Sequence, residues 1–176
     1  MNHHQSKVRR CTVHYGTGDA SSRTYDLPQP PDSERPGLQA IMSNNLVCAR
    51  RDLDIHAATR LMIEHHIGCL PVVDHLGRPI GVITKFDLVE QLEAALRPRP
   101  APPVDLRTRS VDEVMLPLAL TLPEHATVAQ AAAMMALEDT HHVLVVGADA
   151  RLVGVVSTRD IVTWVVDRGV TIECAL

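Results

Sequence analysis

Aromatic side chains are nearly missing from this chain, with one Phe, one Trp and two Tyr among 176 residues. Single-stranded nucleic acid is usually held by stacking bases on aromatic rings, and a formal charge of −4 supplies no basic field for a phosphate backbone. Nucleic acid is therefore not expected as a partner. Long apolar runs are missing as well, none approaching the ~20 residues of a membrane span. Met1–Arg10 is polar where a secretory signal would carry its apolar region. No membrane span is expected, and the chain reads as cytoplasmic. Cys11, Cys48, Cys69 and Cys174 lie far apart without a CxxC pair, which gives neither a disulfide framework nor a zinc ribbon. HExxH, a P-loop, GxGxxG and any nucleophile-and-base constellation are absent too. No catalytic residue is assigned, and the chain reads as a non-enzyme. The histidine pairs His3–His4, His65–His66 and His141–His142 do not have the i, i+4 spacing of a helical zinc site. No metal ligand is assigned; His65 is expected at the edge of the core.

What is present is enough apolar material, 45% of the residues, for one proper core. It is unevenly spread. Residues 1–36 carry Ser21, Ser22, Pro28, Pro30, Pro31 and Pro36 among charges, with no sustained helical or strand period, and are expected to be a flexible N-terminal tail. From residue 37 to 96 the texture is that of a folded unit. Residues 97–109 hold four prolines and four arginines, the composition of an extended linker. A second folded unit runs from 110 to 167, and residues 168–176 form a C-terminal tail.

The two units are a repeat. An ungapped offset of 73 residues pairs Met42 with Met115, Ala58 with Ala131, Met62 with Met135, Gly81–Val82 with Gly154–Val155, and Asp87 with Asp160. Keeping glycine and aspartate in register is beyond what two unrelated apolar helices would do. In each unit a helical period starts after a natural N-cap, Asp54 or Thr127, the latter with Gln130 to complete a capping box. Two β-branched runs follow, Leu70–Asp74 with Ile80–Thr84 and Val143–Val146 with Leu152–Ser157, each pair joined by a turn. The second strand leads into a helix, Lys85–Leu96 or Thr158–Val166. A short strand near Val47 or Leu120 precedes each unit. The predicted unit is β-α-β-β-α, in an α/β fold.

The element that could carry chemistry is Gly81-Val82-Ile83-Thr84-Lys85-Phe86-Asp87, echoed by Gly154-Val155-Val156-Ser157-Thr158-Arg159-Asp160. A hydroxyl and free backbone N–H groups at a helix N-terminus favour phosphate. A carboxylate one turn later can accept from both hydroxyls of a ribose. Ser/Thr-x-x-Asp also describes a capping-box variant with no ligand; its duplication after the same strand favours function. Phe86, Trp164 and the Met-rich helices read as core.

With these motifs, and with the strand Leu70-Pro71-Val72-Val73-Asp74 and the leading Leu38-Gln39-Ala40-Ile41-Met42 and Val111-Asp112-Glu113-Val114-Met115, residues 38 to 167 resemble a tandem pair of cystathionine-β-synthase (CBS) domains. The resemblance implies two repeats packed about a pseudo-twofold axis, with two clefts for an adenine nucleotide: AMP, ADP or ATP, with NAD or S-adenosylmethionine as alternatives. One cleft would contain Thr84, Lys85 and Asp87 with Leu120, Thr121, His141 and His142. The other would contain Ser157, Thr158, Arg159 and Asp160 with Val47, Cys48, Gly68, Cys69 and Pro71. The aspartates would hold ribose and the hydroxyl residues phosphate. The role implied is regulatory: a nucleotide-sensing module that forms a homodimer through apolar helix faces, including Leu88, Leu92, Ile161 and Val165, and passes a conformational change to a regulated protein. The repeat departs from its own pattern at Leu144, opposite Pro71, and at Ala150, opposite Gly77. Two alternatives stand beside this reading: a ligand-free interaction module, and a redox or metal sensor using Cys48, Cys69 and the histidines.

Overall fold

A computed structural model describes residues 9–14, 22–27, 37–96 and 109–167. Within them the repeat is a repeat of structure. Asp54 accepts from the Ala57 N–H at 2.7 Å and opens helix α1, Ile55–Glu64. Thr127 and Gln130 form the reciprocal capping box that opens its counterpart α3, Val128–Leu137. Each helix turns inward on small and apolar residues: Ile55, Ala58 and Met62 in one, Val128, Ala131, Met134 and Met135 in the other. Strand β3, Cys69–Val73, then pairs antiparallel with β4, Pro79–Thr84, and β6, His142–Val146, pairs antiparallel with β7, Leu152–Ser157. The registers are superimposable under the 73-residue offset, down to a bulge after Val72 and after Val145. Helices α2, Lys85–Leu96, and α4, Thr158–Asp167, close the units.

The short leading strand is realised unequally. In the second unit β5, Thr121–Pro123, runs parallel to β6, and the Leu144 N–H donates to the Leu120 carbonyl at 2.9 Å. In the first, an isolated bridge between Ala49 and Val72 stands in its place. Pro71 occupies the position of Leu144 and has no N–H to give to the Val47 carbonyl. The departure from the repeat thus shortens a strand and leaves the fold unchanged.

The two units are interlocked by exchanging their leading segments. Leu38, fully buried in a 3-10 turn at Leu38–Ala40, packs in the core of the second repeat with Leu122, Ala131 and Val143. Val111, in the matching turn Val111–Glu113, packs in the core of the first with Ile55, Met62 and Leu70. Backbone bonds repeat the exchange: Leu38 N–H to Ala126 carbonyl at 2.9 Å, Val111 N–H to Leu53 carbonyl at 2.7 Å, Ser43 with Val155, and Leu116 with Val82. Each pair maps onto the other when the repeats are swapped, which defines a pseudo-twofold axis. The close approach needs glycine. A Cβ on Gly81 would sit 2.7 Å from the Leu116 carbonyl oxygen, and one on Gly154 would collide with the Met42 side chain.

Four expectations are corrected. Strands β1, Arg9–His14, and β2, Ser22–Leu27, form an antiparallel pair inside the segment read as lacking strand period; Thr12, Val13, Thr24 and Tyr25 are good strand formers, but polar neighbours on both sides hide the alternation. Phe86, read as core, is 70% exposed, and His65 is exposed as the C-cap of α1. Leu88 and Ile161 pack against their own cores and Val165 is half-buried, so of the expected face Leu92 alone is exposed, and the apolar surface of α2 and α4 is otherwise carried by Phe86, Val89 and Leu96 and by Val162 and Val166. The linker from 97 to 108 and residues 168–176 lie outside the described residues. Arg109, at the linker's end, bonds Gln91 of α2 and Glu113. Among the described residues no helix is long and apolar enough to cross a membrane.

Candidate functional site

Each Gly-to-Asp motif is a strand end running into a helix N-terminus, and there the aspartate folds back on the hydroxyl residue. Asp160 Oδ2 accepts from the Ser157 N–H at 2.7 Å and from the Ser157 hydroxyl at 2.6 Å, while Ser157 Oγ accepts from the Asp160 N–H at 3.3 Å. Thr84 and Asp87 repeat this at 2.6, 2.7 and 3.4 Å. The capping-box alternative is therefore real, and it modifies the expected anion cradle. The first helical N–H of each helix is also used, Lys85 donating to the Gly68 carbonyl at 3.1 Å and Thr158 to the His141 carbonyl at 2.9 Å. Backbone donors expected to be free for phosphate are largely spent. What the motif keeps is Oδ1 of a carboxylate that has about four lone-pair directions in all.

The exchange of leading segments places the Asp160 motif against the first repeat, and a cavity of about 510 Å³ opens between them. Pockets for small molecules span about 300–1,000 Å³. On one side stand Ser157, Thr158, Arg159 and Asp160; on the other, Val47, Gly68, Cys69 and Pro71. This joins eight of the nine residues expected around Asp160, Cys48 being the one not on the cavity wall. His141 and His142, expected with Asp87, also line this cavity. The reason is the hairpin register: His142 pairs with Ser157, and the His142 ring lies 3.8 Å from where a Gly68 Cβ would stand. The junctions of the two repeats meet near the axis. Of the remaining residues expected around Asp87, Thr84 and Asp87 are bonded to each other, Lys85 is exposed, Leu120 is buried in the second core and Thr121 opens β5.

Sequence reasoning missed Ser43, Asn45 and Leu46, which follow the leading segment into the cavity, and His66, Ile67 and Val155. The polar run Ser43-Asn44-Asn45 directly after an apolar pair was a usable signal. His66 is distinguished by its backbone, with φ +54°, a conformation that few non-glycine residues adopt.

Electrostatically the cavity mixes cationic and neutral donors. Burial holds the His142 imidazole below its usual range, the neighbouring His141 adds to this, and Asp160 opposes it. His142 therefore enters as a neutral ring, one nitrogen donating and one accepting. Burial pushes the Cys69 thiol up to about 12, helped by the charges of Asp87 and Cys48, and burial also raises Cys48. At neutral pH both are thiols. A thiolate is the form that reacts or binds metal, so Cys69 contributes bulk to the wall. Among the described residues no group of three or more His, Cys, Asp or Glu is placed to hold a metal ion.

The family comparison agrees with this geometry. The CBS domain profile matches residues 38–94 and 111–167, about two thirds of the chain, and the protein belongs to the CBS domain family, with two copies in tandem. Among curated relatives, the L-aspartate semialdehyde sulfurtransferase of Methanocaldococcus jannaschii is 28% identical over 124 residues, 70% of this chain; the chain spans only 22% of that relative. Among solved structures, the CBS domain pair of protein MJ0100, in complex with 5′-methylthioadenosine and S-adenosyl-L-methionine, superposes with a TM-score of 0.66 at 25% identity, covering 76% of this chain and 98% of that one. The cytosolic domain of the Mg2+ channel MgtE, in complex with ATP, gives 0.60 at 25% identity, covering 73% of this chain and 48% of that one.

Proposed function

We propose that the protein is a non-catalytic sensor of an adenine nucleotide, bound in the cavity between the two CBS repeats. The observation that carries this reading is the cavity itself. It draws the Ser157–Asp160 motif from one repeat and Val47, Gly68, Cys69 and Pro71 from the other. Asp160 Oδ1 takes the ribose hydroxyls, the apolar strand residues flank adenine, and the hydroxyl and cationic side chains face phosphate. The MJ0100 pair and the MgtE domain, which hold adenosine compounds, support the ligand class. Because the site exists only when the repeats are closed on each other, the ligand shifts the population toward that arrangement. A second copy of the chain, covering Phe86, Val89, Leu92 and Val162, forms the homodimer through which the change reaches a regulated protein.

A thermal-shift panel of AMP, ADP, ATP, NAD and S-adenosylmethionine tests the reading, run on the wild type and on Asp160→Asn. Asparagine keeps an acceptor for the Ser157 cap and removes the charge, so a fold defect and a binding defect are separable. The wild type should gain about 2.7 kcal/mol at a ligand concentration a hundredfold above Kd. A flat response to all five compounds would leave the ligand-free interaction module as the better account.

A further inference from the structure

Three histidines, His66, His141 and His142, line the cavity between the repeats, and the adenine reading uses none of them. We infer, resting on that reading, that the cavity is proton-coupled: its histidines take up protons when a phosphate-bearing adenosine ligand binds. Affinity for such a ligand then rises as pH falls through neutrality.

The imidazoles come to the cavity from both repeats. His66 follows α1 of the first, held by its N–H to the Ile63 carbonyl at 3.2 Å and by a left-handed backbone. His141 and His142 lead into β6 of the second. The His142 ring stands 3.8 Å from where a Gly68 Cβ would be, so the missing side chain at Gly68 lets one repeat's imidazole lean over the other, two residues from His66. The remaining ionisable groups on the wall are Arg159, Asp160 and Cys69. Asp87, off the wall, acts on Cys69, which stays a thiol. Glu64 and His65 precede His66, and Glu138 and Asp139 precede His141; none of the four lines the cavity. Arg159 and Asp160 carry opposite charges, so the histidines decide whether the wall is neutral or cationic.

A phosphate in this cavity finds few other donors. The amides of Ser157, Thr158 and Asp160 are already bonded to Asp160, His141 and Ser157. The Ser157 hydroxyl donates to Asp160 at 2.6 Å, and that of Thr158 to the His141 carbonyl at 3.3 Å. Ser43, Asn45, Arg159 and the three imidazoles are left. Histidine is the side chain whose charge changes between about pH 5 and pH 8, whereas a phosphate monoester is a dianion above about pH 6. Placed among imidazoles, the dianion favours their charged form. Burial and His141 hold the free His142 ring neutral against the pull of Asp160, and a second anion beside it works in the same direction as Asp160. The coupling is reciprocal: if phosphate tightens the hold on a proton, the proton tightens the hold on phosphate by the same factor. Affinity is highest where the imidazoles are charged and the phosphate is still a dianion, and it declines as pH rises past the imidazole values of the complex.

Isothermal titration calorimetry of the full chain at about pH 7.4, in buffers of different ionisation enthalpy, counts the protons exchanged with AMP and with adenosine. AMP should bring roughly 0.3–1 proton into the complex, and its affinity should fall roughly three- to tenfold from about pH 6.8 to about pH 8. The phosphate is already a dianion there and a cationic wall keeps it so, which leaves the protein as the acceptor. Adenosine, without the phosphate, should bring almost none and keep its affinity within about twofold. The variant His66→Asn/His141→Gln/His142→Gln replaces each ring by a neutral amide, asparagine being suited to the left-handed backbone of residue 66. It should bind AMP more weakly and without proton uptake. The contrast between AMP and adenosine in the wild type decides the matter even if this variant does not fold. No uptake with AMP, an equal uptake with adenosine, or an unchanged uptake in the variant would overturn the inference while leaving the adenine reading intact. If neither AMP nor adenosine binds, the adenine reading fails and this inference with it.

Discussion

Ala150 holds φ at +63° in the turn between β6 and β7, where the first repeat uses Gly77 at +79°. An L-residue pays roughly 1–2 kcal/mol for that conformation, and glycine returns about 0.4–1 kcal/mol of it through the entropy of the unfolded chain. Ala150→Gly should therefore stabilise the protein, by about 0.5–1 kcal/mol, as read from the urea midpoint. A loss of stability would mean that the left-handed turn is not held in solution. His142 gives a second residue-scale expectation. Its folded-state pKa lies below the ordinary imidazole value of about 6.5. The unfolded chain thus takes up a proton first as pH falls. The stability that neutral His142 supports is complete above pH ~6.5 and is lost below it, toward the depressed folded value. Replacing it, His142→Gln, should flatten the fall in stability between about pH 7 and pH 5. Equal slopes for wild type and variant would show that His142 is not buried as described.

At the scale of elements, periodicity carried the reading a long way. The caps at Asp54 and Thr127 and the helix over Lys85–Leu96 were legible because they depend on residues three or four positions apart. What periodicity does not report is the partner. Leu38 and Val111 read as apolar positions at the head of their own repeats, and each packs in the core of the other. The resemblance implied His141–His142 beside Asp87, and the register of β6 with β7 also brings the pair to Ser157. Glycines Gly81 and Gly154 were legible as repeated, while their reason, contact with the opposite leading segment, needed the structure. The exchange has a measurable consequence. Leu38→Ala leaves a cavity under the second repeat and should cost about 2–5 kcal/mol. Leu76→Ala, on the exposed turn of the first, should change stability by less than about 0.5 kcal/mol. Comparable small losses for both would contradict the exchanged packing.

At the scale of the whole molecule, the exchange makes one unit of two repeats, and the cavity is a product of that union rather than of either repeat. A ligand there would touch Asp160 in one repeat and Gly68 in the other, which would make binding and closure one equilibrium. The exposed apolar rows on α2 and α4 lie on helices whose first turns hold Asp87 and Asp160. A shift of those helices on binding would be felt directly by a second chain covering them.

The most direct measurement of the central claim is a calorimetric titration of AMP into the full chain and into Asp160→Asn. The account predicts saturable binding to the wild type, weakened roughly ten- to a hundredfold by a substitution that leaves the thermal midpoint of the free protein nearly unchanged. Equal affinity in the two proteins, or no heat of binding in the wild type, would contradict it.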